Sequence, residues 1–515
     1  TLNYYFLSHK LPFANQEKCI TLSKRSPSNK YLSNFAFYSI HPKPYNSILE
    51  LVGNTPLVKL NKIPQDYGLS CDIYAKCEFM NPTGSIKDRV AYAMMCDAER
   101  KGHVHQNTIF VEATTGNAGI GIAFNASLKG YKCVLVTQDK NAGDKINTAR
   151  LLGADVIQTK DDVTAIARRI KDDNPDTVVM LDQFENDVNP RTHYENTGEE
   201  IANAMGSSLD MVVMGAGSGG TMSGVGHRVK KYFPNCLVIG AEPDGSIMLR
   251  GKGKSHPYLL EGIGGTTTPI VLDKSVIDDI EVVNDKDSFL MAREVAYKEG
   301  IMCGEISGCL MVAAIRAATK RKLGAGKRVV VMFTDGIRNY MSKFVCDQWM
   351  EAHLLMDPPK HTMKWWTHPI TQLRLRHKFP VIDDSYTCAE VLKKLIDSDV
   401  AVVVNNKGWF VGAVSKDSMR IEATNPTKLP GSHSEEFNFD DLVINHLAKQ
   451  CYTLAKNGEK GVPSVGLLSR ILDITPFVVI GEQGHDDKID KGWFILIFSY
   501  TYFVHYILNF VKQIN

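Results

Sequence analysis

"DMVVMGAGSGGTMSG", residues 210–224, runs from an unbroken apolar stretch straight into a glycine-rich loop. A short apolar run without polar alternation is the pattern of a strand covered on both faces. The loop carries Gly217, Gly219 and Gly220 with the hydroxyls of Ser218 and Thr221. Glycines let backbone N–H groups approach an anion, and a helix opening behind them adds favourable potential. The same strand form recurs at "TIFVEA" (108–113), "CVLVT" (133–137), "ADVIQT" (154–159), "CLVIGAE" (236–242) and "RVVVMFTD" (328–335). Helical patterns separate these runs, which predicts an α/β fold with parallel-rich sheets between helices.

A second loop, "TTGNAGIG" from Thr114 to Gly121, follows "TIFVEA" and also opens a helix. A lysine completes the set. In "NPTGSIKDRV" (81–90), Asn81, Pro82, Thr83 and Gly84 are turn formers, and Ser85 with Asp88 has the form of a capping box. Lys87 then falls in the first helical turn, where a cation is disfavoured by about 0.3–1 kcal/mol. A helix start pushes a lysine toward its neutral form, the form that condenses with an aldehyde.

Three readings compete. Gly215, Gly217 and Gly220 fit G-x-G-x-x-G, and Glu242 ends the next strand, as in a nicotinamide-dependent oxidoreductase. That motif lies deep in the chain and leaves Lys87 and the first loop without a role. Two tight turns with no ligand are the plainer alternative. A phosphate-bearing aldehyde accounts for the lysine and both loops together.

Composition sets the frame. The chain has 515 residues, 44% hydrophobic and 23% charged, which predicts two or three globular domains. A net charge of +2 without a basic stripe gives no reason to expect nucleic acid. The eleven cysteines form no C-x-x-C and no zinc spacing, so reduced thiols in a cytoplasmic protein are expected, with no metal. The chain begins at Thr1, and "YYFL" is too short for a signal-peptide core. "WFILIFSYTYFVHYILNFV", Trp493 to Val511, is long enough to consider as a membrane span, but a strand followed by a helix accounts for it, and no membrane partner is expected.

Four regions are expected: an extension at 1–45, a catalytic domain at 46–355, a linker at 356–380 containing "MDPPKHTMKWWTHP", and a module pair at 381–515. The first module reads strand, helix, strand, turn, strand. "VGLLSRILDITPFVVIGEQG" (465–484) is a weaker, degenerate echo of it.

"VGNTPLVKL" (52–60), "AKCEFMNPTGSIKDR" (75–89), "TTGNAGIG", "GSGGTMSG", "EGIG" (261–264) and "DGIRNYMSKF" (335–344) stand in one order. Together they resemble the cystathionine β-synthases, of the fold-type II pyridoxal phosphate group with cysteine synthase as a relative. "KWWTHP" and the second domain favour the former. The resemblance implies a two-lobed catalytic domain, a carboxy-terminal α/β regulatory domain of paired modules, and at least a homodimer. It implies pyridoxal 5′-phosphate as cofactor and joining of serine to homocysteine to give cystathionine, a step of transsulfuration and cysteine biosynthesis. Lys87 would carry the cofactor and move the Cα proton. Asn117 would hydrogen-bond the phenolic oxygen. Gly217, Ser218, Gly219, Gly220 and Thr221 would hold the phosphate, and Thr114, Thr115, Gly116 and Gln183 the substrate carboxylate.

The chain also departs from the family pattern. "GEISG" (304–308) replaces G-G-S-A-G, so Ile306 takes the place of the serine that faces the pyridine nitrogen, with Ser307 adjacent. Ala118, Phe184 and Gly265 replace residues that are usually hydroxylated, and "QTKDDVTAI" is shortened. Two alternatives follow: a cysteine synthase or sulfide-producing enzyme, and a catalytically weak cofactor-binding or regulatory paralogue. Haem is not expected, because Cys19 and His41 lack the family spacing and Ser28 stands where a histidine would sit. The family's redox C-x-x-C is reduced to Cys236. An adenosyl ligand would need an acid in the modules, for which Asp417 is the candidate.

Overall fold

The computed structural model describes residues 44–114, 116–138, 143–159, 161–357, 359, 364–370, 379–424, 440–447, 452–455, 463–475, 477–481 and 496–499. Thr1–Ser47 is a unit apart from Ile48–Asn515. Cys19, Ser28 and His41 lie outside the described residues.

Among the described residues, ten strands build the first part: β1 (Leu57–Lys59), β2 (Asp72–Cys77), β3 (Ile109–Ala113), β4 (Lys132–Gln138), β5 (Asp155–Thr159), β6 (Val178–Met180), β7 (Met211–Gly215), β8 (Leu237–Pro243), β9 (Asp279–Val283) and β10 (Arg328–Phe333). They form two sheets, ordered β1-β2-β10-β7-β8-β9 and β5-β4-β3-β6. Every pairing is parallel except that of edge strand β1 with β2. The six apolar runs are β3, β4, β5, β7, β8 and β10. Val212, Val213, Val330 and Val331 are fully buried, as expected of strands covered on both faces.

Helices α1 (Lys87–Arg100), α2 (Asn117–Lys129), α3 (Gly220–Tyr232) and α4 (Glu305–Lys320) position the site. Lys87 opens α1, as expected, but the capping box does not form. Ile86 is the N-cap. Ser85 Oγ accepts from Lys87 N at 3.2 Å, while Asp88 turns back to accept from Thr83 N at 2.7 Å and from the Thr83 hydroxyl. The turn at 81–84 brings Thr83 donors closer to Asp88 than the Ser85 backbone. Beneath α1, Arg89 joins Glu78 through Nε at 2.7 Å and Glu200 through Nη1 at 2.7 Å, and Lys76 joins Glu200 at 2.5 Å.

α5 (Asp347–Ala352) ends this part. Beyond it, β11 (Val381–Asp383), α6 (Cys388–Lys394), β12 (Val400–Val404) and β13 (Phe410–Ser415) follow in the expected order. β14 (Tyr452–Ala455), α7 (Val465–Leu472), β15 (Phe477–Gly481) and β16 (Leu496–Ser499) repeat that order. In both sheets the first pairing is parallel and the second antiparallel. β16 lies within the apolar tail, and 500–515 lie outside the described residues. Among the described residues no helix is long and apolar enough to cross a membrane.

Candidate active site

The carboxyl ends of β3, β7 and β10 and the first turns of α1, α2 and α3 meet around one cavity of about 850 Å³. Ligands of open α/β sheets bind at such strand ends. Lys87, Asn117 and Gln183 line it together with Thr114 and Gly116. Gly217, Ser218, Gly219 and Thr221 line it as well. Thr115 lies outside the described residues. Gly220 takes its place in the loop through its backbone. It does not line the cavity but packs behind it, where an added Cβ would stand 2.0 Å from Asn189 Oδ1. Gly219 is left-handed, with φ of +91°, which the turn from β7 into α3 requires and glycine supplies.

Lys87 Nζ lies 2.9 Å from Gln183 Oε1 and 3.4 Å from Ser218 Oγ. The amine therefore stands beside the glycine loop, inside the cavity. Burial lowers its pKa to about 8, against the opposing charge of Glu112. Glu112 fixes Gln183 in turn, accepting from Gln183 N at 3.1 Å and Asp182 N at 3.0 Å. Burial pushes its carboxyl up to about 7.

Asn117 is clamped by β10 and the turn that follows. Its Nδ2 donates to Asp335 Oδ2 at 2.7 Å and its Oδ1 accepts from Asn339 Nδ2 at 2.8 Å. Tyr340 donates to the same Asp335 oxygen at 2.5 Å.

Lys145, Glu261 and Lys343 also line the cavity. Lys145 Nζ lies 2.6 Å from Glu261 Oε2, and Lys343 pairs with the other oxygen. Burial, with the nearby Lys145 charge, lowers Lys343 to about 7. "EGIG" and "DGIRNYMSKF" carry two of these residues, but nothing in either motif shows that they face one another. Ile306 and Ala118 line the cavity, whereas Ser307 is fully buried in α4 and does not.

The nicotinamide reading does not fit. Glu242 is fully buried and outside the cavity lining, and its carboxylate accepts from Ser246 Oγ at 2.8 Å, Leu249 N at 2.7 Å and Arg250 Nε at 2.8 Å. It closes a loop and is not placed to meet a ribose. Cys236 is buried, and burial pushes its thiol up to about 12. Asp417 is exposed at the start of the Lys416–Thr424 helix, 3.3 Å from Arg420 Nη2, as a solvated helix-start acid would be.

Residues 48–335 match the family described as pyridoxal-phosphate dependent enzymes. Cystathionine β-synthase of Mus musculus is 38% identical over 468 residues, 88% of this chain and 80% of its own length. That of Apis mellifera is 36% identical over 456 residues, 85% of this chain and 87% of its own. The chain belongs to the cystathionine β-synthase family. A crystal structure of a hydrogen sulfide-producing enzyme from Fusobacterium nucleatum superposes with a TM-score of 0.54 at 36% identity, covering 58% of this chain and all of that one.

Cystathionine β-synthases of this family use pyridoxal phosphate, and the donor set suits it. An amine of lowered pKa stands 3.4 Å from a hydroxyl of the glycine loop, and a clamped amide faces the same cavity. Gly217 allows the loop its close approach to the facing chain, since a Cβ there would meet Gly262 O at 2.3 Å.

Proposed function

We propose that this chain catalyses β-replacement on serine with homocysteine, giving cystathionine and water. The Cβ–O bond of serine breaks and a Cβ–S bond forms. The proton removed from Cα leaves with the hydroxyl group as water, the S–H bond of homocysteine breaks, and that thiol proton is returned to Cα. The observation that carries this reading is the placement of the Lys87 amine between Gln183 and Ser218 inside the cavity.

Pyridoxal phosphate, held by Lys87, Asn117 and the loop 217–221, supplies the electron sink that acidifies the Cα–H bond of an attached amino acid. Gln183, Thr114, Thr115 and Gly116 bind the serine carboxylate. Lys87 would take the Cα proton, a role that its lowered pKa suits. Asp335 and Asn339 hold the Asn117 amide in place at the cavity wall. Paired modules after β10 regulate the reaction.

Sulfide in place of homocysteine is the second reading. The likeness to a hydrogen sulfide-producing enzyme favours it, because release of sulfide from a Cβ–S bond is the reverse of its addition. Serine and O-acetylserine, each assayed with homocysteine and with sulfide, separate the two. Turnover fastest with serine and homocysteine supports the first reading. Turnover only with sulfide replaces it by the second. A loaded protein with no spectral response to serine contradicts both.

A further inference from the structure

Behind the glycine loop, two side chains that no sequence motif singled out touch its two hydroxyls. Asn189 Nδ2 donates to Ser218 Oγ at 3.0 Å and to Gln183 O at 2.7 Å. His193 Nε2 lies 3.2 Å from Thr221 Oγ1, and its Nδ1 lies 3.0 Å from Thr197 Oγ1. Both residues are fully buried and neither lines the cavity. They stand four apart where the helix Val188–Thr192 passes into a π-helical turn, His193–Thr197. Single π turns of this kind recur at functional sites. Gly220 packs against Asn189, which seats the helix directly under the loop.

The direction of the Asn189 bonds follows from the partners. The Gln183 carbonyl can only accept, so the Asn189 atom beside it is the nitrogen, and that nitrogen also faces Ser218 Oγ. A serine oxygen that accepts from an amide keeps its own proton free. Burial and the nearby Arg89 and Lys87 charges hold His193 well below its ordinary value, so the ring is neutral and carries one N–H. Thr197 and Thr221 both offer hydroxyls that can donate or accept; in the tautomer where Thr197 donates to Nδ1, the ring N–H sits on Nε2 and donates to Thr221 Oγ1. The Thr221 proton is then free as well.

We propose that Asn189 and His193 are positioning residues that turn the Ser218 and Thr221 hydroxyls into donors aimed at the cofactor phosphate. The opposite tautomer would have Thr221 donate to the ring and present lone pairs to a dianion. Neither residue touches the cofactor. The proposal rests on reading the loop 217–221 as the phosphate cradle.

The test compares two ligands that differ by the phosphate alone. Full-length protein freed of cofactor is titrated with pyridoxal phosphate and with pyridoxal, following absorbance. Wild-type protein binds the phosphorylated form at least about a hundredfold more tightly. In Asn189→Leu and His193→Leu that ratio falls about tenfold or more, and His193→Gln, which can still reach Thr221 with an N–H, restores most of it. If His193→Leu does not fold, His193→Asn, too short to supply the Nε2 donor, carries the same prediction. An unchanged ratio, or equal weakening toward both ligands, overturns the proposal. A wild-type ratio near one overturns the cradle itself, a separate failure that is visible before any variant is made.

Discussion

Asp335, fully buried two residues beyond β10, accepts from the amide of Asn117, the first residue of α2, at 2.7 Å. This bond joins the two sheets at the site, because β10 belongs to the six-stranded sheet and α2 follows β3 of the four-stranded one. Asp335 also accepts from the fully buried Tyr340. Asp335→Ala leaves two buried donors without an acceptor, each costing about 1–3 kcal/mol. The variant is expected to unfold at a lower urea midpoint and to bind pyridoxal phosphate more weakly, since Asn117 loses its orientation. Chemical denaturation and cofactor titration check the two effects separately.

Lys87 reacts with an aldehyde only as the free amine, and its pKa is lowered to about 8. Below that value the amine is protonated. The rate at which cofactor-free protein takes up pyridoxal phosphate is therefore expected to fall about tenfold per pH unit below 8 and to level off above about 9. Stopped-flow absorbance from about pH 6 to 9 measures this. A midpoint near 10.5, the ordinary lysine value, would mean that Lys87 is not desolvated.

Arg89, two residues beyond Lys87, anchors the start of α1 from below. Its partner Glu78 is fully buried and would keep only the Lys76 charge, at 3.9 Å, so Arg89→Met leaves its charge poorly compensated and is expected to cost about 3–5 kcal/mol. Replacing Arg89 and Glu78 together by apolar residues is expected to cost less than the single change. A double-mutant cycle on unfolding free energies checks the difference.

Arg470 on α7 reaches the buried Glu351 on α5 at 2.8 Å, tying the second module to the helix that follows the active-site turn. Arg470→Ala leaves that carboxylate unpaired. Limited proteolysis within 356–380 is expected to speed up severalfold, read by gel densitometry under native conditions. An unchanged rate would mean that this pair does not hold the module down.

Much of this was legible in the chain itself. The β7 run is apolar at every position because both sheet faces are covered, so pattern alone gave its boundaries almost to the residue. Lys87 stood out because a cation at a helix start conflicts with the local field, and conflicts of that kind mark function. β2, "DIYAKC", was not separated as a strand, because it mixes polar and apolar residues and carries the buried Lys76. The capping box failed because sequence spacing cannot show that Thr83 donors lie nearer to Asp88. Asn189, His193, Lys145 and Lys343 were missed for a common reason. Each acts through a partner 20 or more residues away, and no local pattern encodes such a meeting.

The central claim is that Lys87 carries the cofactor, although Lys145 and Lys343 face the same cavity. Borohydride reduction of protein loaded with pyridoxal phosphate, followed by peptide mass mapping, decides it. A single phosphopyridoxyl adduct on Lys87 is the predicted result. An adduct on Lys145 or Lys343 in its place, or no adduct on a loaded protein, would contradict the account.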